Sequence, residues 1–312
     1  MSVSERKIFM RWANWAVDVL WKALEWDNYG DNKDDYRLKP EIKVNLDEAS
    51  ATQLVFVYNE IAEKFSGDAQ EHFRIFGKVR EKYGTKPNLR VASIDIGGGT
   101  TDMVITTYQS ESAGATNIIV PHQEFREGFN FAGDDIVKVL IEKHLIPDLM
   151  KKLVQAGARN VREDIIRKLG KDAVGLSEKE RNLRAQFTQQ LLVPMALQIL
   201  QQIEQMQIED LPSFIFAVSY ESTFNGAEHP KPEVLKYVEE LVDFSGVEPF
   251  LLTNWTIAVD LGEVNTSIAT AIDPYLRDLC EVIKLWDCDF LVLSGRPSCL
   301  STIHSIIYKM LP

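Results

Sequence analysis

Between Arg90 and Tyr108 two acids, Asp95 and Asp102, bracket three consecutive glycines, Gly97, Gly98 and Gly99, and two hydroxyls, Thr100 and Thr101. Glycine permits positive φ and lets backbone N–H groups approach a ligand with no Cβ in the way. Successive N–H groups in such a turn form a concavity for an anion. The flanks, Arg90 to Ile96 and Met103 to Tyr108, alternate or carry β-branched and aromatic residues, so the segment reads as strand, tight turn, strand. Asp95, at the tip of the incoming strand, is placed to hold the waters of a Mg²⁺ ion, which favours one or two carboxylates together with phosphate oxygens. Thr100 and Thr101 add donors. Asp102 opens the return strand, where it could fix the turn or orient metal-bound water in phosphoryl chemistry. These residues together predict a contact with phosphate.

The run from Asp95 to Asp102 resembles the second phosphate loop of the superfamily of actin, sugar kinases and seventy-kilodalton heat-shock chaperones. Its paired threonines are most similar to the bacterial actin-like proteins. Three other segments follow the order of that superfamily. Residues 44–51 resemble the chaperones' connecting motif. Residues 131–135, Phe-Ala-Gly-Asp-Asp, are similar to the segment that follows the third strand, with Ala132 in place of a glycine. Residues 290–298 resemble the adenosine loop, with Ser294-Gly295 where two glycines are usual. The phrases at 47–60 and 293–298, with the glycine loop between them, resemble the bacterial virulence factor SrfB family.

The resemblance implies an α/β fold, a ribonuclease H-like, actin-type ATPase lobe whose mixed sheet carries a β-hairpin phosphate loop flanked by helices. The lobe would comprise residues 1–134 and 251–312, with a mainly helical subdomain inserted at 135–250. It implies ATP and Mg²⁺ as ligands. Gly97, Gly98, Gly99, Thr100 and Thr101 would hold the β- and γ-phosphates, Asp95 the metal's waters, and Glu48 with Asp102 the hydrolytic water. Gly133 and Asp134 would face the sugar, and Ser294, Gly295 and Arg296 the α-phosphate or adenosine. A first phosphate loop of the type Asp-x-Gly-x-x-Ser/Thr is expected near the start of such a protein, and nothing before Glu48 has that form. The chain therefore reads as the second lobe of a bacterial ATPase whose first lobe is missing, able to hydrolyse ATP only when both are present. A scaffold that uses nucleotide only to set its shape, through self-assembly or a protein partner, is the alternative. A sugar or metabolite kinase ranks last, because its acceptor site would come from the missing lobe.

Residues 259–266 imitate the absent first loop with Asp260, Gly262 and Thr266. That loop should lead into a strand, whereas Ile268, Ile272, Leu276, Leu279 and Ile283 recur at helical spacing. Asn265 or Thr266 reads better as a helix N-cap.

The 312 residues carry a net charge of −12, which argues against general nucleic-acid binding and against an anionic membrane surface. No apolar run approaches the roughly 20 residues of a membrane span, and the start is no signal peptide, so a cytoplasmic location is expected. Three cysteines, an odd number, read as buried free thiols.

Along the chain, residues 4–26 keep an amphipathic helical pattern rich in tryptophan, whose apolar face is expected mainly in the core, with contact to the absent first lobe or a partner as the alternative for part of it. The acidic stretch 27–35 fails the register of a calcium loop, since Tyr36 stands where glycine is needed. A strand is expected at 41–46, a helix at 51–66 with Leu54, Val55, Val57, Tyr58 and Ile61 inward, a polar connection at 66–88 and a third strand at 116–125. Helical periodicity dominates from Asp134 to about Gln207. Strands at 212–220 and 250–259 enclose a helix at 231–244, before a final helix, strand, loop and helix.

Overall fold

The computed structural model describes residues 3–24, 26, 39–43, 48–113, 116–170, 175–240, 244 and 248–311. It is mixed α/β and forms two compact units, one of residues 1–130 and 282–295, the other of residues 131–281 and 296–312. The acidic stretch 27–35 and most of the expected strand at 41–46 lie outside the described residues. Residues 41–43 are not strand.

The first unit opens with α1 (Val3–Ala23), followed by α2 (Glu48–Asn59), α3 (Ala69–Phe76), β1 (Lys78–Val79), β2 (Pro87–Ile96), β3 (Thr101–Ala113) and β4 (Thr116–Phe129). β2, β3 and β4 form an antiparallel meander, and a late strand, β7 (Phe290–Ser294), joins β2 in parallel. Leu89, Val91, Ala92, Ile94 and Ile96 of β2 are all buried, as expected of a central strand packed on both faces.

On the face that carries Leu89, Val91, Ser93 and Asp95, a core of Val57, Ile61, Ala69, Phe73, Leu89, Val91 and Tyr108 forms beneath α2 and α3. The inward stripe of α2 is Ala49, Gln53 and Val57, continued by Ile61 in a π-helical turn at Glu60–Lys64. This corrects the expected face: Leu54, Val55 and Tyr58 are exposed. A spacing of four residues keeps 49, 53 and 57 in register with the sheet, and a polar residue in that row hid the stripe. The expected polar connection at 66–88 contains α3, capped by Asp68, which accepts from the N–H groups of Gln70 and Glu71.

His72 of α3 is fully buried among Phe65, Phe73, Phe76 and Phe290, and neither ring nitrogen finds a partner among the described residues. Burial pushes its pKa down, Glu60 nearby opposes this and Lys64 adds to it. A depressed histidine favours the fold above its unfolded pKa and opposes it as pH falls below about 6.5. His72→Phe is expected to flatten the decline of stability between about pH 7 and pH 5. Urea unfolding at several pH values would read this, and an unchanged pH profile would contradict it.

The start of β7 is tied down by charge. Arg80, nearly buried, makes two 3.0 Å contacts to the Asp289 carboxylate, which also accepts from the Arg90 N–H at 2.7 Å. Beside it, burial first of all pushes the Cys288 thiol up to about 12. The expectation of three buried thiols fails for Cys299, which is exposed, and holds fully only for Cys280.

The second unit holds α4 (Gly133–Leu140), α5 (Ile146–Gln155), α6 (Val161–Leu169), α7 (Glu178–Phe187), α8 (Val193–Glu204), β5 (Ile215–Ser219), α9 (Tyr220–Phe224), α10 (Pro232–Glu239), β6 (Thr256–Asp260), α11 (Leu261–Leu285, of which the last residues belong to the first unit) and α12 (Ser301–Met310). β5 and β6 pair antiparallel. Residues 250–255 are not strand, and Leu252–Asn254 form a 3₁₀ turn. Two π-helical turns, Ile141–Leu145 and Thr188–Leu192, immediately precede Ile146-Pro147 and Val193-Pro194. Proline has no N–H and its ring crowds the carbonyl four residues back, so a locally widened turn lets each helix continue past it.

The helix expected to start behind Asn265 or Thr266 begins earlier, at Leu261. Asp260 accepts from the N–H groups of Gly262 (2.8 Å) and Glu263 (3.3 Å), so it caps α11 in place of Asn265 or Thr266. A helix, not a strand, follows the imitation loop.

α1 departs most from expectation. Ile8, Phe9, Trp12, Trp15, Val19, Leu20 and Leu24 are exposed, while Trp21 is buried and packs edge-on against Trp26. The wide apolar face is not core. Among the described residues no helix is long and apolar enough to cross a membrane.

Candidate functional site

The antiparallel register of β2 and β3 puts Ile96 opposite Thr101, so residues 97–100 form a four-residue loop closed by Gly97 N–H donating to the Thr100 carbonyl at 2.9 Å. One step back, Asp95 lies directly opposite Asp102. Directly opposed residues share a face, with Cβ atoms about 4.5–5.5 Å apart, and like charges there are destabilising. The next strands extend the row: Ser294 of β7 pairs with Asp95, and Gly128 of β4 with Asp102.

Each member of this row has a physical role. Asp95 is buried, and the Ser294 hydroxyl donates to its Oδ1 at 2.7 Å. Asp102 is half-buried, and a Cβ built on Gly128 would stand 3.2 Å from its Oδ1, so glycine keeps the space beside that carboxylate. Gly295 takes positive φ, and a Cβ there would fall 2.0 Å from the Ile96 carbonyl oxygen. No side chain fits between β7 and the last residue of β2.

The three loop glycines behave differently from the reading above. None of Gly97, Gly98 and Gly99 is among the glycines with positive φ. A Cβ on Gly99 would meet nothing within 4 Å, whereas one on Gly97 would lie 3.0 Å from the Thr100 carbonyl. What glycine provides here is an uncovered backbone. Gly98, Gly99 and Thr100 are exposed, and among the described residues their N–H groups have no partner. Thr101 is buried within β3.

Gln53, which sequence reasoning missed, locks α2 over this end of the sheet. Its Nε2 donates to the Val104 carbonyl and the Ser93 hydroxyl, each at 2.9 Å, and to the Val91 carbonyl at 3.3 Å, while its Oε1 accepts from Tyr108. Burial, slightly offset by Thr106, pushes the Tyr108 hydroxyl up to about 12, so it stays a donor. Ser93 in turn donates to the Ala49 carbonyl at 3.3 Å. Because Ser93 is two residues before Asp95 on the same face, the first turn of α2, with exposed Glu48, is held towards the loop end of β2. The available signal was a glutamine in a row of inward positions at spacing four.

The structure thus gathers Glu48, Asp95, the loop at 97–101, Asp102, Ser294 and Gly295 in the first unit. Gly133, Asp134 and Arg296 belong to the second. Gly133 and Asp134 form the first turn of α4, where Asp135 accepts from the Ala132 N–H at 3.1 Å. Asp134 lines a groove of about 790 Å³ with Lys138, Arg184, Phe187 and Thr188 among its walls. The Arg296 guanidinium is held by Glu204 in two contacts, one of 2.8 Å, and that carboxylate raises its pKa.

A family model for the virulence factor SrfB matches residues 1–312. The chain belongs to the SrfB virulence-factor family. No curated protein matches it. The match spans both units, so the opposed carboxylates and the helical unit with its two proline-linked π turns lie inside the SrfB region. Among the described residues no cluster of three or more histidine, cysteine or acidic side chains could hold a metal alone. Two carboxylates would need further oxygens from a ligand.

Proposed function

We propose that the hairpin site of this SrfB-family chain binds the polyphosphate of ATP together with Mg²⁺, in a lobe of the actin and heat-shock chaperone type. One observation carries the reading: two carboxylates, Asp95 and Asp102, stand opposite one another beside a turn with exposed, unused N–H groups. A cation shared by the two would offset the repulsion of opposed like charges. Mg²⁺ takes one or two carboxylates and completes its shell with water and phosphate oxygens, so the donor set fits. Bound there, Mg²⁺ would neutralise phosphate charge.

In this reading the N–H groups of Gly98, Gly99 and Thr100 hold terminal phosphate oxygens. Asp95, fixed by Ser294, orients the metal's water shell. Asp102, in the space left by Gly128, and Glu48, at the start of α2, orient the attacking water. Ser294 and Gly295, at the end of β7 in the same unit, would serve the α-phosphate or adenosine. Catalysis by charge stabilisation works best in a closed, dry cleft, so an opposing lobe is required for turnover, and the chain alone is expected to bind weakly and hydrolyse negligibly.

Calorimetry with ATP, with and without Mg²⁺, tests this. A weak heat of binding that disappears on chelation is expected, and equal or absent heats in both conditions would contradict it. The scaffold alternative gains from one observation, the capture of Arg296 by Glu204, which withdraws a cation from any nucleotide. Light scattering distinguishes the two, since only an assembly protein should change size with ATP.

A further inference from the structure

The exposed face of α1 is assigned no role by the site above. Its described apolar side chains, Ile8, Phe9, Trp12, Trp15 and Val19, face solvent, with Trp12 and Trp15 each more than half exposed and packed edge to face at 5.6 Å. Basic residues border this face. At 100° per residue Lys7, Arg11 and Lys22 fall in one strip about 60° wide, and the Arg11 guanidinium lies 5.9 Å from the Trp12 ring. The helix carries four basic residues and two acidic ones. Of the acids, Asp18 lies inside the basic strip and is paired with Lys39. In a chain of net charge −12 this helix carries a net positive charge.

We propose that α1 is a surface anchor that lies in the plane of an anionic phospholipid membrane. Tryptophan and phenylalanine on one side with lysine and arginine beside them is the composition of an interfacial helix, and aromatic rings with a polar edge favour the headgroup level. Aromatic residues and arginine also mark protein interfaces, and the basic border beside the aromatic face is what favours an anionic headgroup layer. The whole-chain charge disfavours general attraction to such a surface, but screening confines electrostatics to about 8–10 Å, so the local strip decides. Each basic residue near an anionic surface adds to binding. The 21-residue helix would lie flat, with Trp12 and Trp15 inserted and Arg11 and Lys22 reaching the headgroups.

Flotation with vesicles of phosphatidylglycerol and phosphatidylcholine, against vesicles of phosphatidylcholine alone, tests the assignment, with light scattering run on the same protein. The chain should float with the anionic vesicles and not the neutral ones, less so as salt rises. The charge-reversed variant R11E/K22E should lower the bound fraction at least about tenfold. W12S/W15S should do the same with an unchanged melting temperature, since both rings are exposed. Absence of binding to anionic vesicles, equal binding to neutral ones, or a concentration-dependent dimer that W12S/W15S abolishes would each overturn the proposal. The last of these would assign the face to a second copy.

Discussion

Asp95→Asn is expected to lower affinity for Mg²⁺-ATP roughly ten- to a hundredfold, the range for losing a group that orients a metal's ligands, while leaving the fold intact or slightly more stable. The two halves of this prediction have separate causes. Asparagine keeps an oxygen to accept the Ser294 hydroxyl, which now lies 2.7 Å from Asp95 Oδ1, so the bridge from β7 to β2 survives. It also removes one of two negative charges placed directly opposite across the strands, a change worth up to about 1 kcal/mol in favour of folding. Lost binding combined with retained or increased stability is what a functional carboxylate predicts. Calorimetry and urea unfolding on the same variant would check both. A lower unfolding midpoint with unchanged nucleotide affinity would make Asp95 structural.

The second large effect is expected at Gln53. Its side chain is fully buried and joins α2 to two strands through four hydrogen bonds. Gln53→Ala removes the bonds to the Val91 and Val104 carbonyls and to the Ser93 and Tyr108 hydroxyls and opens a cavity. At about 0.5–1.5 kcal/mol for each lost hydrogen bond, the variant should lose about 3 kcal/mol of stability. Ser93 keeps its bond to the Ala49 carbonyl, so the helix is loosened and not released. A double-mutant cycle with Tyr108→Phe separates the causes: removing both ends of one bond should cost less than the two single changes summed. Additive losses would mean that Gln53 and Tyr108 do not act as a pair. Because α2 carries Glu48, the loosened variant should also bind Mg²⁺-ATP less tightly.

The hairpin was legible because its two strands are dense in β-branched and apolar residues and three glycines stand between them. The opposition of Asp95 and Asp102 was not legible, since a turn of the three glycines alone would set Asp95 against Thr101, and the loop takes in Thr100 as well. The helical periodicity of residues 133–204 was equally plain, and the two π turns were not, because the pattern 3.6 tolerates one extra residue before a proline. Where apolar content was taken for burial the reading failed. Leu54, Val55 and Tyr58 are as many as the inward residues of α2 and more apolar, and the row that meets the sheet contains a glutamine. In α1 the apolar face was expected inside, and the exposure of Trp12 and Trp15 depends on what lies against the helix, which local sequence does not encode.

The candidate site divides in the same way. Asp95, residues 97–101 and Asp102 lie close together in sequence and were found together. Ser294 reaches Asp95 from 199 residues away through a parallel strand, a pairing that periodicity cannot specify. Gly128 looks like any glycine in a strand until its place opposite Asp102 shows what a side chain would obstruct. The glycines of the loop were read for positive φ, which belongs instead to Gly295; glycine composition reports freedom, and the chain's path decides where it is used.

The most direct measurement is a nuclear magnetic resonance titration of the backbone amides with Mg²⁺ and a non-hydrolysable ATP analogue. The signals of Gly98, Gly99 and Thr100 should shift together, saturably and only with the metal present, and should stop responding in Asp95→Asn. Shifts confined to other residues, with these three amides unmoved at saturation, would contradict the phosphate-loop account.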